Sequence, residues 1–242
     1  MFIARDIEKK LQGRTVVQAS GLQLARGQIV GIIGPSGSGK TTLLRSLSLI
    51  EPPDAGTVQI DDQTYVFPQA PQTPPPNPWP RLTVVFQQLF LWPHLTLREN
   101  LLLPLRAQMN TERQDLLDEV IAFFDMADFL DRYPSQVSGG QKQRLALARA
   151  IALQPHYLLL DEITSALDVE QIHKILEFLL LVRDRGCGIL LVTHHLNFAR
   201  QAANEILFMD HGRIIERGPP SILDAPKAER FKTFVSHVIA AS

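Results

Sequence analysis

Cysteine is nearly absent from this 242-residue chain, where Cys187 stands alone. An internal disulfide is therefore excluded, and such cysteine usage suits a reducing compartment. Cys187 reads as a small residue ahead of a strand at Ile189–Thr193 rather than as a reactive thiol. No apolar stretch approaches the ~18 residues that a bilayer-spanning helix requires. Neither charge is in excess, since 24 Lys and Arg face 25 Asp and Glu for a formal net charge of −1. That balance supplies no global basic field to recruit nucleic acid or an anionic membrane. The opening residues Met-Phe-Ile-Ala-Arg-Asp-Ile-Glu-Lys-Lys are charged where a signal peptide would be apolar. These absences point to a cytosolic chain that meets a membrane only through a partner. What remains is an ordinary globular composition, 45% hydrophobic and 20% charged, long enough for one sizeable domain.

One run stands out, Gly34-Pro35-Ser36-Gly37-Ser38-Gly39-Lys40-Thr41-Thr42, which fits the phosphate-cradling pattern G-x-x-x-x-G-K-[ST]. Glycines let the backbone curl so that successive N–H groups face inward and form a nest for phosphate oxygens. Lys40 is placed to reach β- and γ-phosphates, and the Thr41 hydroxyl to take a position on Mg²⁺. The flanks agree. Gln28–Ile33 reads as a buried strand, and Lys40–Ile50 carries Leu43, Leu44, Leu47 and Ile50 at helical spacing. The start of that helix adds its dipole to the anion site.

The chain around this loop alternates in period. Two apolar segments within residues 14–33, separated by Ala25-Arg26-Gly27, suggest a β-hairpin feeding the loop. Thr57–Ile60 reads as a short strand. Between Pro68 and Pro80, seven of thirteen residues are proline, which excludes helix and central strand and predicts an exposed insertion with polyproline II character. Residues 95–153 read as mostly helical, with Leu116, Leu117, Val120, Ile121 and Phe124 on one face. The last third alternates a strand at Tyr157–Leu160, a helix at Val169–Arg183, a strand at Ile189–Thr193, a helix at Asn197–Ala203 and a strand at Ile206–Met209. That order predicts an α/β fold with a largely parallel sheet and a helical stretch inserted between its halves.

Two further sites carry chemistry. Tyr157–Leu160 ends in Asp161 and Glu162, carboxylates at the carboxyl edge where a parallel sheet binds its ligands. Asp161 is placed for Mg²⁺, and Glu162 for an attacking water as general base. Ser138-Gly139-Gly140-Gln141 precedes a periodic helix, with Ser138 as N-cap and Gln141 completing a capping box. Its bare glycine N–H groups lie at a positive helix end, a second place for an anion.

The stretch Val137-Ser-Gly-Gly-Gln141-Lys-Gln-Arg144 resembles the signature motif of the ATP-binding cassette (ABC) ATPases. The family's other landmarks follow in order: Gln87 resembles the Q-loop glutamine, Asp161-Glu162 the Walker B end, Ser165-Ala166-Leu167-Asp168 the D-loop, and His194 the switch histidine. The resemblance covers nearly the whole chain. It implies a P-loop NTPase (RecA-like) core with an antiparallel β subdomain and an inserted α-helical subdomain, the core being 1–87 and 153–242 and the helical part 88–152.

The resemblance also implies ATP and Mg²⁺ as ligands, with Thr41, Gln87 and Asp161 toward the metal and Lys40, Glu162 and His194 in hydrolysis. A second copy of the chain would close each P-loop with its signature helix. Transmembrane permease subunits would be touched near Phe90–His94, with a substrate-binding protein reached indirectly, no nucleic acid, and the chain peripheral on the cytoplasmic side of the membrane. His195 is expected to be structural, since neighbouring residues on a strand face opposite sides and could not share one metal with His194. Two positions depart from the family. Leu11 stands where an aromatic residue usually stacks on adenine, and Ile163 where proline often follows Asp-Glu. The C-terminal segment Phe208–Pro220, with Glu229-Arg230-Phe231 and Phe234, looks like subunits for uptake of polar amino acids. Soluble ABC-type ATPases acting on DNA or ribosomes, and a regulatory cassette with weak hydrolysis, are the alternatives. No sustained heptads and no second cassette support the former, and the presence of Lys40, Asp161, Glu162 and His194 weighs against the latter.

Overall fold

A computed structural model describes residues 1–68, 77–106, 110–164 and 167–240. In chain order, the strands β1 (Phe2–Leu11), β2 (Arg14–Ala19), β3 (Leu22–Leu24) and β4 (Ile29–Ile33) precede helix α1 (Lys40–Leu47). Strands β5 (Ala55–Ile60), β6 (Gln63–Phe67) and β7 (Leu82–Val85) follow. Then come α2 (Leu97–Leu102), α3 (Thr111–Phe123) and α4 (Gly139–Ile151). The chain returns to β8 (Tyr157–Asp161), α5 (Val169–Asp184), β9 (Gly188–Val192), α6 (Leu196–Ala202), β10 (Glu205–Asp210), β11 (Arg213–Gly218) and α7 (Glu229–Ala240).

Among the described residues these strands form two sheets. One runs β11-β10-β4-β9-β8-β7, parallel throughout except for the β10–β11 hairpin. The other is antiparallel, in the order β2-β1-β5-β6 with β3 also paired to β1. Strands β4, β8 and β9 are buried at every position, as expected where both faces of a parallel sheet are covered. Alternation along each strand then splits the core in two. Leu158, Leu160, Ile189, Leu191 and Ile206 face the helices α2–α7. Leu159, Leu190, Val192, Val30 and Ile32 face α1 and the antiparallel sheet. Each fully buried Leu or Ile adds about 2 kcal/mol of hydrophobic stabilisation.

The expected hairpin within residues 14–33 is not formed. Strand β3 joins β1, whereas β4 enters the parallel sheet between β10 and β9. The Ala25-Arg26-Gly27 turn therefore carries the chain from one sheet to the other. The strand that recruits β3 lies in the charged N-terminal residues. Phe2, Ala4 and Ile7 are buried there, but the register shifts between Arg5 and Glu8 and Asp6 has φ +52°. That bulge breaks the period-2 pattern by which a strand is read from sequence.

Most of the proline-rich segment lies outside the described residues. At its described end, Trp79 is partly exposed and its N–H donates to Asn77 Oδ1 at 3.0 Å. No helix among the described residues is long and apolar enough to cross a membrane.

Candidate active site

Strand β4 ends at Ile33, and the chain turns through Gly34 (φ +153°), Gly37 (φ +77°) and Gly39 (φ +99°) into α1. Two of these positions accept no side chain. A Cβ on Gly34 would lie 2.0 Å from the Met209 carbonyl oxygen, and one on Gly39 would lie 2.9 Å from that of Val16. The start of α1 has no side-chain cap, so its first N–H groups remain for an anion. Pro35 and Ser36 bridge the turn, the Pro35 carbonyl accepting from the Ser38 N–H at 3.2 Å. Lys40 is buried across the loop, its Nζ donating to the carbonyl oxygens of Gly34 (2.9 Å) and Pro35 (2.8 Å). Burial pushes its ammonium below the ordinary lysine range, and the Glu162 and Asp161 carboxylates act against that shift. Thr42 follows Thr41 in the first turn of α1.

Four strand ends meet beside this loop. Ile32 of β4 pairs with Val192 of β9, Val192 with Asp161 of β8, and Leu160 of β8 with Val85 of β7. The residues just beyond these pairs therefore share one edge: the loop itself, His194, Glu162 and Gln87. Asp161 is 2% exposed and accepts a hydrogen bond from Thr41 Oγ1 at 3.1 Å. Burial raises its carboxyl above the usual range, with the Thr41 hydrogen bond opposing. The hydroxyl and the carboxylate oxygens are hard donors of the kind Mg²⁺ prefers, and the exposed Gln87 amide lies two residues past β7 on the same edge. The donor set fits that ion.

Glu162 adopts φ +48° while its N–H donates to the Val192 carbonyl at 2.9 Å. This left-handed turn sends its side chain toward His194, whose Nδ1 lies 3.5 Å from Glu162 Oε1. His194 and His195 do not face opposite sides as expected. Strand β9 stops at Val192, so the period of 2 no longer applies, and the two rings lie with centroids 4.4 Å apart at 33°. Burial, and then the neighbouring His194, lower the His195 pKa.

Ser138 caps α4, its Oγ accepting from the Gln141 N–H (3.2 Å) while Gln141 Oε1 accepts from the Ser138 N–H (2.9 Å). Gly139 faces open space, whereas Gly140 packs against Gln171. Asp168 caps α5; Leu167 is described beside it, and Ser165 and Ala166 lie outside the described residues. Leu11 is 43% exposed at the tip of the β1–β2 hairpin, ahead of Gln12 (φ +50°) and Gly13 (φ +78°). Ile163 is buried in the core beneath the helices.

Residues 17–165 match the ABC transporter family. The chain belongs to that family. It is 36% identical over 245 residues to the L-cystine import ATP-binding protein TcyC of Bacillus subtilis, covering 99% of both chains. It is 37% identical over 247 residues to the glutamine transport ATP-binding protein GlnQ of Escherichia coli, covering 98% of this chain and 100% of that one. Among solved structures it resembles the ATP-binding cassette MJ0796 in a dimeric, post-hydrolysis state bound to ADP and Pi. That likeness has a TM-score of 0.75 at 30% identity, covering 91% of this chain and 99% of that one.

Several parts of this ABC cassette's site have no local signature. The Val16 and Met209 carbonyls wall the loop, yet they act through backbone atoms that any residue supplies. Arg149, from α4, donates to the carbonyls of Leu89 (2.8 Å) and Phe90 (3.2 Å) and lies 5.4 Å over the Trp92 ring. Buried Asn100 accepts from the Trp92 N–H at 2.7 Å and donates to the Leu95 carbonyl at 3.1 Å. Together they fix the loop after Gln87, leaving Phe90 and Trp92 exposed. The Arg149 contacts span some sixty residues of sequence, so no local pattern announces them.

Proposed function

We propose that this chain is the ATP-hydrolysing subunit of an ABC importer for polar amino acids. The observation that carries the reading is the convergence of Lys40, Asp161, Glu162 and His194 at one sheet edge beside a glycine loop. Glycines 34, 37 and 39 leave backbone N–H groups for the phosphates, and Lys40 meets the β- and γ-oxygens with positive charge. Mg²⁺, held by Thr41 and Asp161 with Gln87 nearby, would neutralise phosphate charge.

Hydrolysis then needs a positioned water. Glu162 accepts a proton as that water adds to the γ-phosphorus, and the bond to the bridging oxygen breaks to release ADP. His194, beside Glu162, holds the carboxylate and faces the γ-phosphate. The Ser138–Gln141 helix start is a second anion site on a different element. It serves the ATP of a second copy, so that two chains sandwich two nucleotides and the D-loop at Ser165–Asp168 lies at their junction. Gln87 reports the nucleotide state to permease subunits, which contact the exposed Phe90–His94 stretch. The cassette thus divides into a core, 1–87 and 153–242, and a helical part, 88–152, that moves with the permease at the cytoplasmic face. Relatives named for L-cystine import and glutamine transport support the polar amino acid class, and the cargo reaches the permease through a substrate-binding protein.

The deciding experiment compares phosphate release and ATP-dependent dimerisation of the wild type and Glu162→Gln. Loss of a general base predicts a rate at least ~100-fold lower with binding retained, and the variant accumulating as an ATP-bound dimer. A wild type without ATPase activity, alone or with its permease, overturns the reading.

A further inference from the structure

Gln171 lies in the first turn of α5, three residues after Asp168, and gives two of its N–H donors to that one carboxylate. Its main-chain N–H donates to Asp168 Oδ1 at 2.8 Å, and its Nε2 donates to Asp168 Oδ2 at 2.8 Å. The side-chain oxygen then points away from α5 to the start of α4. A Cβ built on Gly140 would meet Gln171 Oε1 at 2.0 Å and its Cδ at 2.8 Å. The amide is therefore seated on the bare Cα of Gly140, while its neighbour Gly139 opens onto free space. A glycine within a helix costs about 1 kcal/mol against alanine. At Gly140 the missing methyl is the room that the Gln171 amide occupies.

We infer that Gln171 is a positioning residue that locks the Ser138–Gln141 helix start into its resting place beside Asp168. The inference rests on the reading in which this helix start closes on the nucleotide of a second copy. Two anchors give the lock its stiffness. Asp168 is fixed as the N-cap of α5, and the Gln171 amide is held by a charge-assisted hydrogen bond, which is stronger than a neutral one. Without that bond, the amide is free to leave Gly140, and the helix start loses its resting place beside Asp168. Nothing in Gln171 reaches this chain's own P-loop, so nucleotide affinity of the single subunit is unaffected.

The test uses Gln171→Met in the intact protein, with its permease if activity requires it. Methionine keeps length and flexibility while removing the amide. The expected result is a kcat about tenfold lower, the rate equivalent of one hydrogen bond to a charged group, with KM for ATP changed less than about twofold and an unchanged melting midpoint. In a double-mutant cycle with Asp168→Ala, which by itself costs more because it also removes the cap of α5, the combined effect on kcat falls short of the sum of the two single effects, as expected for residues that share one contact. A Gln171→Met enzyme with wild-type kcat, or one altered only in thermal stability, overturns the inference. So do additive effects in the cycle. Glu162→Gln, with Gln171 intact, reports separately on the nucleotide sandwich, because it reads ATP-dependent dimerisation and leaves this contact untouched.

Discussion

The Thr41 hydroxyl donates to Asp161 Oδ1 over 3.1 Å, joining the first turn of α1 to the last residue of β8. One hydrogen bond thus ties the phosphate loop to the acidic strand end, although the two residues are 120 positions apart in sequence. Asp161 is almost wholly buried, and its carboxyl titrates above the ordinary value of 3.8. The folded chain therefore holds this proton to a higher pH than the unfolded chain does.

Stability follows from that sign. In the window rising from 3.8, the Asp161 contribution falls as pH increases, and the ionised carboxylate still costs stability at neutral pH. Asp161→Asn keeps an oxygen for Thr41 and removes the buried charge. The variant should melt about 2–4 °C higher at pH 7, with a smaller gain near pH 4, while Mg²⁺-dependent ATP hydrolysis disappears. Differential scanning calorimetry across pH, paired with phosphate release, checks both halves. A melting midpoint lowered at pH 7 would contradict the burial argument.

In the register that places Leu11 against the base, the side chain would offer an aliphatic surface and no π-face. Leu11→Tyr should tighten ATP binding about two- to tenfold, the range for an added aromatic stack, and raise the preference for ATP over GTP. Equilibrium binding of both nucleotides to the wild type and the variant measures this. Strong adenine selection in the wild type would sink it.

Alanine at two of the loop glycines, Gly37 and Gly34, separates strain from collision. At Gly37 the added methyl meets nothing within 4 Å, so only the positive φ is penalised, at about 1–2 kcal/mol. At Gly34 the methyl runs into the Met209 carbonyl, a backbone atom that cannot swing aside. Urea unfolding should rank Gly34→Ala as clearly more destabilising than Gly37→Ala; equal losses would show that the loop relaxes freely.

Cys187 is buried, and desolvation pushes its thiol up to about 12. The native protein at pH 8 should react with a thiol reagent only after unfolding, giving one labelled thiol per chain in denaturant and almost none without it. Rapid native labelling would mean that the start of β9 opens locally.

Much of this site is legible in the chain itself because its parts are local. The glycine loop, the Ser138 capping box and the apolar run ending at Asp161-Glu162 each depend on neighbours within a few residues, and all three stand where the pattern puts them. The strand at Phe2–Leu11 escapes notice because a bulge near Asp6 shifts the inward face midway. With β1 unread, the partner of β3 is unread too, and a hairpin within 14–33 becomes the natural but mistaken pairing. The relation of His194 to His195 fails for a similar reason. Alternation holds only while the strand lasts, and β9 ends two residues before His194.

The sequence by itself determined the nucleotide loop, the acidic strand end, the capped helix start at Ser138 and the alternation of strands and helices from Tyr157 to Met209, since each is encoded by turn chemistry or by a hydrophobic period. Only the tertiary structure decided which strand neighbours which, and so that four separate strand ends share one edge. It alone set the Thr41–Asp161 bond, the approach of His194 to Glu162 and the seat of Gln171 on Gly140. Those contacts join residues far apart in the chain, and their geometry is fixed by sheet register and helix packing, which no short stretch of sequence contains.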